Sequence, residues 1–173
     1  LAGVTREVTL ASCAELGLDP WHDPHNLDRT FARVRVRVDA LPLLEQQLGR
    51  GFTAALARSA DLAREDADAL DALAGQHYAA IVRHSNEGGV DHQTVMSVAA
   101  LQELPSALRG RVIRLVADRG FGSHLTREHT LAIASLATAW KGQGPIHAPR
   151  IIARREGDNI VVTLRKAKGA GGH

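Results

Sequence analysis

The sequence predicts a mixed, predominantly α-helical chain that closes on a β-hairpin, and three observations carry that expectation. Apolar residues recur at steps of three and four from Phe52 to Ile81, the period of a helix with one buried face. Pro105 and Thr126 mark two further helix starts, since proline suits the first helical position and threonine the N-cap. Near the end, residues 150–155 and 159–164 form two short β-type runs around Glu156-Gly157-Asp158, which has the turn chemistry of a hairpin.

Taken in order, Thr5 caps an expected helix over 6–16, and Gly17 suits the left-handed C′ position. Residues 18–26 read as extended chain and turn, broken by Asp19-Pro20 and Asp23-Pro24. A helix with so little around it cannot bury its apolar face alone, so residues 1–38 are expected to be the tail of a larger domain.

Residues 23–44 set an acidic turn before a comb of arginines, Arg33, Arg35 and Arg37, and then an apolar helix start. Strict alternation over 32–38 fits a strand with all three arginines on one face. A helix capped by Asp28 or Thr30 fits as well, with Arg33 and Arg37 four apart and Val34, Val38 and Leu41 as an apolar stripe. Apolar positions continue at helical spacing through Leu44 and Leu48, which favours the helix, with Leu41-Pro42 as a joint or a new first position.

After Gly49-Arg50-Gly51 one long amphipathic helix is expected over 52–84, with Phe52, Leu56, Ser59, Ala63, Asp66, Leu70, Leu73, His77 and Ile81 along one stripe. Asp66 and Gly75 interrupt it and permit a bend. Residues 85–89 read as a loop, and the alternation over 90–99 fits a strand. The helix opened by Leu104-Pro105 should bury Leu108, Val112, Leu115 and Val116, leaving Arg111 and Arg114 on its other flank. In the helix capped by Thr126, His129, Ile133, Leu136 and Trp140 share a face, and Gly142 to Gly144 stop it. Ile151, Ala153, Ile160, Val162 and Leu164 would make the apolar side of the hairpin, and residues 167–173 a flexible tail.

A hydrophobic content of 45% with 23% charged residues is that of a globular protein, and only 3% aromatics leaves aliphatic residues to fill the interior. No apolar run approaches the roughly 20 residues a membrane helix needs, and no signal-peptide pattern is present. Cys13 is the sole cysteine, so no internal disulfide can form, and a cytoplasmic location is expected.

Charge is unevenly placed. Asp61, Glu65, Asp66, Asp68 and Asp71 crowd one segment, whereas Arg and Lys crowd 29–37, 109–119 and 150–168. Such basic stretches would meet a polyanion, or pair internally with the acidic helix. Catalytic signatures are weak. Cys13 sits in an apolar helix as a core thiol. His22 and His25 flank Asp23, and His77 and His84 lie seven apart on one expected helical face, but neither H-x-x-x-H nor C-x-x-C occurs, so no metal is expected. No G-x-x-x-x-G-K-(S/T) occurs, and Gly142-Gln143-Gly144 lacks a strand-to-helix context, so nothing here would activate ATP.

The segments DPHN, FARVRVR, LPLLE, LQELPSALRGRVIR and WKGQGPIHAPRIIARREGDNIVV together resemble the tRNA(Ile)-lysidine synthetases of actinobacteria. The resemblance spans nearly the whole chain, and Asp23, Pro24, Asn26, Arg33 and Arg37 fall on the family pattern. His25 stands where Ser or Thr is usual and Val34 where Asn is usual, which puts any hydrogen bond made through those side chains in doubt.

The resemblance implies an ATP-dependent ligase that adenylates the wobble cytidine of an isoleucine tRNA and joins lysine to it. The family's S-G-G-x-D-S ATP loop does not occur in this sequence. The chain is therefore expected to hold the tail of a PP-loop α/β domain over 1–38 and a helical tRNA-recognition domain over 39–166. Asp23, Asn26, Arg33 and Arg37 are the expected substrate-side residues, and Arg35, Arg111, Arg114, Arg154 and Arg155 the expected tRNA contacts, with no catalytic residue assigned. ATP, with Mg, would bind mainly outside this chain; tRNA(Ile) and lysine are the implied partners, and a homodimer is left open. The rival readings are a non-catalytic helical interaction module and the RNA-binding domain of another tRNA-modifying enzyme.

Overall fold

A computed structural model describes residues 4–21, 23–85 and 93–165. His22, the 86–92 stretch and the 166–173 tail lie outside the described residues, and with them one half of the His22–His25 pair, most of the expected glycine loop and the flexible tail. The chain divides into two units, Leu1–Asp61 and Leu62–His173, and the division falls inside the long helix α4, Phe52–Ile81. The helical chain with a terminal hairpin is the architecture expected from the sequence.

In the first unit α1 spans Arg6–Glu15, with the Thr5 hydroxyl accepting from the Val8 amide and Gly17 at φ +67° just past its end. Pro24–Asn26 form a single 3-10 turn capped by Asp23. The arginine comb is helical. α2, Ala32–Arg35, runs through a π turn at Val36–Ala40 into α3, Leu41–Leu48. The π turn has a local cause: Pro42 has no N–H to donate and its ring crowds the preceding turn, and the chain answers by letting Leu41 donate to Val36. The expected cap is corrected. Phe31 is the N-cap, without a side-chain bond, because the Asp28 carboxylate is occupied by the amide and hydroxyl of Thr30 at 2.9 and 2.8 Å.

Of the expected apolar stripe Val34 is buried, but Val38 is 37% exposed. Val34 is the one buried hydrophobic residue among the described residues of this unit. The α3–α4 turn is held by Glu45, which accepts from the amides of Gly51 and Thr53 at 2.8 and 2.7 Å.

The second unit has a substantial core. Strands β1 (Val82–Ser85), β2 (Gln93–Ser97), β3 (Ile146–Ala148), β4 (Ile151–Glu156) and β5 (Asn159–Leu164) form one antiparallel sheet in the order β1-β2-β5-β4-β3. The Ile151↔Leu164 to Glu156↔Asn159 register is the expected hairpin. Helices α5 (Val98–Glu103), α6 (Ser106–Phe121) and α7 (Arg127–Thr138) supply the other side of the core, with Leu101, Val112, Val116, Ile133 and Leu136 packed together with Met96, Ile151, Ile160 and Val162. Each such side chain contributes about 1.5–3 kcal/mol on burial.

Five element expectations change. α4 ends at Ile81, and Val82–Ser85 pair with β2, so His84 stands on a strand and shares no helical face with His77. The expected stripe is covered only in part: Leu56 and Leu73 are exposed, and the face packed on the core runs through Leu70, Ala74, Tyr78 and Ile81. Pro105 is the N-cap of α6 rather than its first residue, and Trp140 lies past the end of α7, which buries Thr130, Ile133, Leu136 and Ala137. Leu164, at the open end of the hairpin, is 40% exposed while Ile151, Ala153, Ile160 and Val162 are buried.

Candidate nucleic-acid interface

In the first unit, Arg37 donates from Nη2 to the Asn26 carbonyl at 2.6 Å. That bond reaches across eleven residues and pins the 3-10 turn to the helix carrying the arginines. Asn26 and Arg37 line an open hollow of about 460 Å³ with Val4, Arg6, Thr9 and Leu10. A smaller hollow of about 170 Å³ is lined by Arg6, Asp23, Pro24, Asn26 and Leu27. Arg6 borders both. It escaped sequence reasoning because nothing local distinguishes it from any arginine in a helix's first turn.

Asp23 accepts from the His25 amide and faces its ring nitrogen, both at 2.9 Å. The amide bond first, and the ring second, hold its carboxyl below the ordinary aspartate range. Arg33 lies over the Phe31 ring at 4.4 Å and lines neither hollow. Arg35 donates to the carbonyls of Arg29 and Thr30, both at 2.8 Å, bracing the turn before α2.

The arginines of the second unit divide by their partners. Arg109 closes the C-terminus of α5 by donating to the Leu101 and Leu104 carbonyls at 2.7 Å. Arg111 donates from Nε to Asp71 at 2.7 Å. Arg154 pairs with Glu156. Arg155 donates to the carbonyls of Leu136 and Gly157 at 3.1 and 3.0 Å and lies over Trp140 at 5.5 Å, tying the end of α7 to the hairpin turn. Arg119 lies over Tyr78 at 5.1 Å, and burial raises the Tyr78 phenol while Arg119 partly offsets it. The Tyr78 hydroxyl meets His84 Nε2 at 3.0 Å, and His84 Nδ1 meets the buried Thr94 hydroxyl at 3.1 Å, so His84 serves as a polar link between helix and sheet.

Arg114 differs from these. Its side chain is exposed and has no hydrogen-bond or ion-pair partner among the described residues. With Arg111 it lines two hollows of about 370 Å³ each, one towards Asp118, Arg119 and His124, the other towards Ser106, Arg127 and Thr130. Arg154 and Arg155 line neither hollow. No helix among the described residues is long and apolar enough to cross a membrane.

Comparison with known proteins finds relatives for this chain. Residues 96–161 match the TilS substrate binding domain. A tRNA(Ile)-lysidine synthase of Leifsonia xyli is 47% identical over 156 residues, covering 90% of this chain and 46% of that protein. The tRNA(Ile)-lysidine synthases of Mycobacterium tuberculosis and Thermobifida fusca are 42% and 39% identical, covering 96% and 92% of this chain and 51% and 47% of theirs. The chain thus spans about half the length of the curated relatives it matches. Helices α5 to α7, strands β3 and β4, the last two residues of β2 and the first half of β5 fall in the segment that matches the TilS substrate binding domain, and the chain is similar in sequence to actinobacterial tRNA(Ile)-lysidine synthases.

Proposed function

We propose that this chain is the tRNA-recognition half of an enzyme that uses ATP to ligate lysine to the wobble cytidine of an isoleucine tRNA. The observation that carries the reading is the kinship over nine-tenths of the chain. The geometry supports it through the arginine-lined hollows of the substrate-binding domain, which suit an RNA backbone. Residues 1–38 are then the end of the ATP-using domain and 39–166 the recognition domain. Asp23, Asn26, Arg33 and Arg37 face the reacting end of the substrate, joined by Arg6. Arg111 and Arg114 lead the tRNA contacts, while Arg35, Arg154 and Arg155 contribute from positions that also brace the fold.

Neither phosphate-loop motif occurs in the sequence, and no three His, Cys, Asp or Glu side chains converge on a cation site among the described residues. ATP and Mg are therefore assigned to residues outside this chain, as is the chemical step. A cytoplasmic location and free lysine as co-substrate complete the proposal.

The Arg111–Asp71 pair is the one observation favouring an internally neutralised interaction module instead. The deciding assay supplies the full-length protein with a tRNA(Ile) transcript, ATP and radiolabelled lysine. Label should enter the RNA, and should not enter a transcript whose wobble cytidine is replaced by uridine. Absence of incorporation into both would refute the reading.

A further inference from the structure

We propose that the groove between the first half of α6 and the start of α7 binds phosphate groups of a nucleic-acid backbone, with Arg114 and Arg127 as its cationic walls. The inference rests on the tRNA reading above and adds a location, two residues and a ligand chemistry to it. The groove has a volume of about 370 Å³ and is lined by Ser106, Gly110, Arg111, Arg114, Arg127 and Thr130, among others. Three of its lining residues are arginines and none is a carboxylate.

Two of the three cations are uncommitted. Arg111 is held by Asp71, but neither Arg114 nor Arg127 has a hydrogen-bond or ion-pair partner among the described residues. Arg127 is also badly placed for stability. It is the first residue of α7, where the helix dipole disfavours a cation. An anion in the groove offsets that repulsion and the mutual repulsion of the arginines.

The floor of the groove is kept low by Gly110. A Cβ there would lie 3.5 Å from Thr130 Cγ2 and 3.7 Å from Arg114 Nη1, so any larger side chain would occupy the space beneath the Arg114 guanidinium. Thr130 is committed, its hydroxyl donating to the Thr126 carbonyl at 2.9 Å. The Ser106 hydroxyl remains as a donor at the rim, beside a helix start that has no side-chain cap. Forked guanidiniums with a hydroxyl suit phosphate oxygens. None of the lining residues is aromatic, so the groove offers a base nothing to stack on. That selects backbone contact, which positions RNA without reading its sequence.

The test uses the whole 173-residue chain and two probes, inorganic phosphate and a tRNA(Ile) transcript. Phosphate should shift the NMR signals of Arg114 and Arg127 Nε–H and leave those of Arg109 and Arg155 in place. Arg114→Gln with Arg127→Gln should weaken transcript binding about tenfold near 0.1 M salt and lower the salt slope by about two. Both side chains are exposed, and an unchanged melting temperature in the double variant shows that its fold is intact. Signals unmoved by phosphate would overturn the proposal. Transcript binding by the wild type with no loss in the double variant would overturn the groove alone. A wild type that binds no transcript would overturn the tRNA reading and the nucleic-acid assignment together, even if phosphate moved both signals.

Discussion

Arg111 reaches from α6 to Asp71 on the acidic helix, its Nε 2.7 Å from the carboxylate, and this single bond sets one charge of the basic face against the reading that the face serves RNA. Asp71 is 67% exposed and lines the same hollow as Arg114 and Arg119. A solvent-screened pair of this kind contributes about 0.2–1 kcal/mol. It trims the positive potential of the hollow more than it holds the fold together.

Asp71→Ala should therefore cost less than about 1 kcal/mol in urea unfolding and should tighten binding to a tRNA(Ile) transcript a few-fold. Weaker binding in the variant would show that Arg111 needs Asp71 to present itself, contrary to the competition described above.

Arg155 and Arg114 should separate cleanly in stability. Arg155 holds two carbonyls and covers Trp140, so Arg155→Ala should cost about 1–3 kcal/mol, the range for charge-assisted bonds to groups that would be left unpaired. Arg114→Ala, which removes no such bond, should change stability by less than about 0.5 kcal/mol. Chemical denaturation of both variants checks this, and equal losses would contradict the division of the arginines into braces and contacts.

Leu136 is fully buried on α7 at the centre of the core. Leu136→Ala should destabilise the chain by about 2–5 kcal/mol through lost burial and a residual cavity. Calorimetry showing a smaller loss would mean that the helices do not pack on the sheet as described.

Glu45 carries a pH signature. The Thr53 amide, followed by other donors of the turn including the Gly51 amide, holds its carboxyl below the ordinary glutamate range. A depressed folded value means that its contribution is fully present above the unfolded pKa and is lost as pH falls through the folded one. Protection factors of the Gly51 and Thr53 amides should accordingly hold at neutral pH and drop in acid, with a carboxyl titration midpoint below the ordinary range. A midpoint at the ordinary value would contradict the bonded turn.

What the sequence discloses depends on how far away each partner lies. Thr5, Gly17 and Thr126 act on groups within a few residues, and their caps follow from spacing alone. The hairpin was legible for the same reason, since Gly157-Asp158 joins its strands directly. In the sequence β1 is indistinguishable from the end of α4, because the helical period runs to Ile81 and the Val82↔Met96 pairing that ends it is fourteen residues off. β3 gave no signal, for three residues are too few to show alternation.

The site was legible in composition and not in arrangement. Arg111 and Arg114 stand together as the sequence suggested, and Asn26 meets Arg37 as one contact. Yet the guanidinium of Arg109 is spent on α5 and that of Arg155 on α7, carbonyls that no local pattern marks as needing a donor. Arg127 lacked a signal because its opposite wall, Ser106 to Arg114, comes from the preceding helix.

Recognition of RNA by this chain is tested by its affinity for a tRNA(Ile) transcript across a salt series. Recognition through an arginine-lined backbone site predicts measurable binding near 50 mM salt and a log–log slope of about −3 or steeper, the release of counterions from three or more phosphates. No binding at that salt, or a slope near zero, would contradict it.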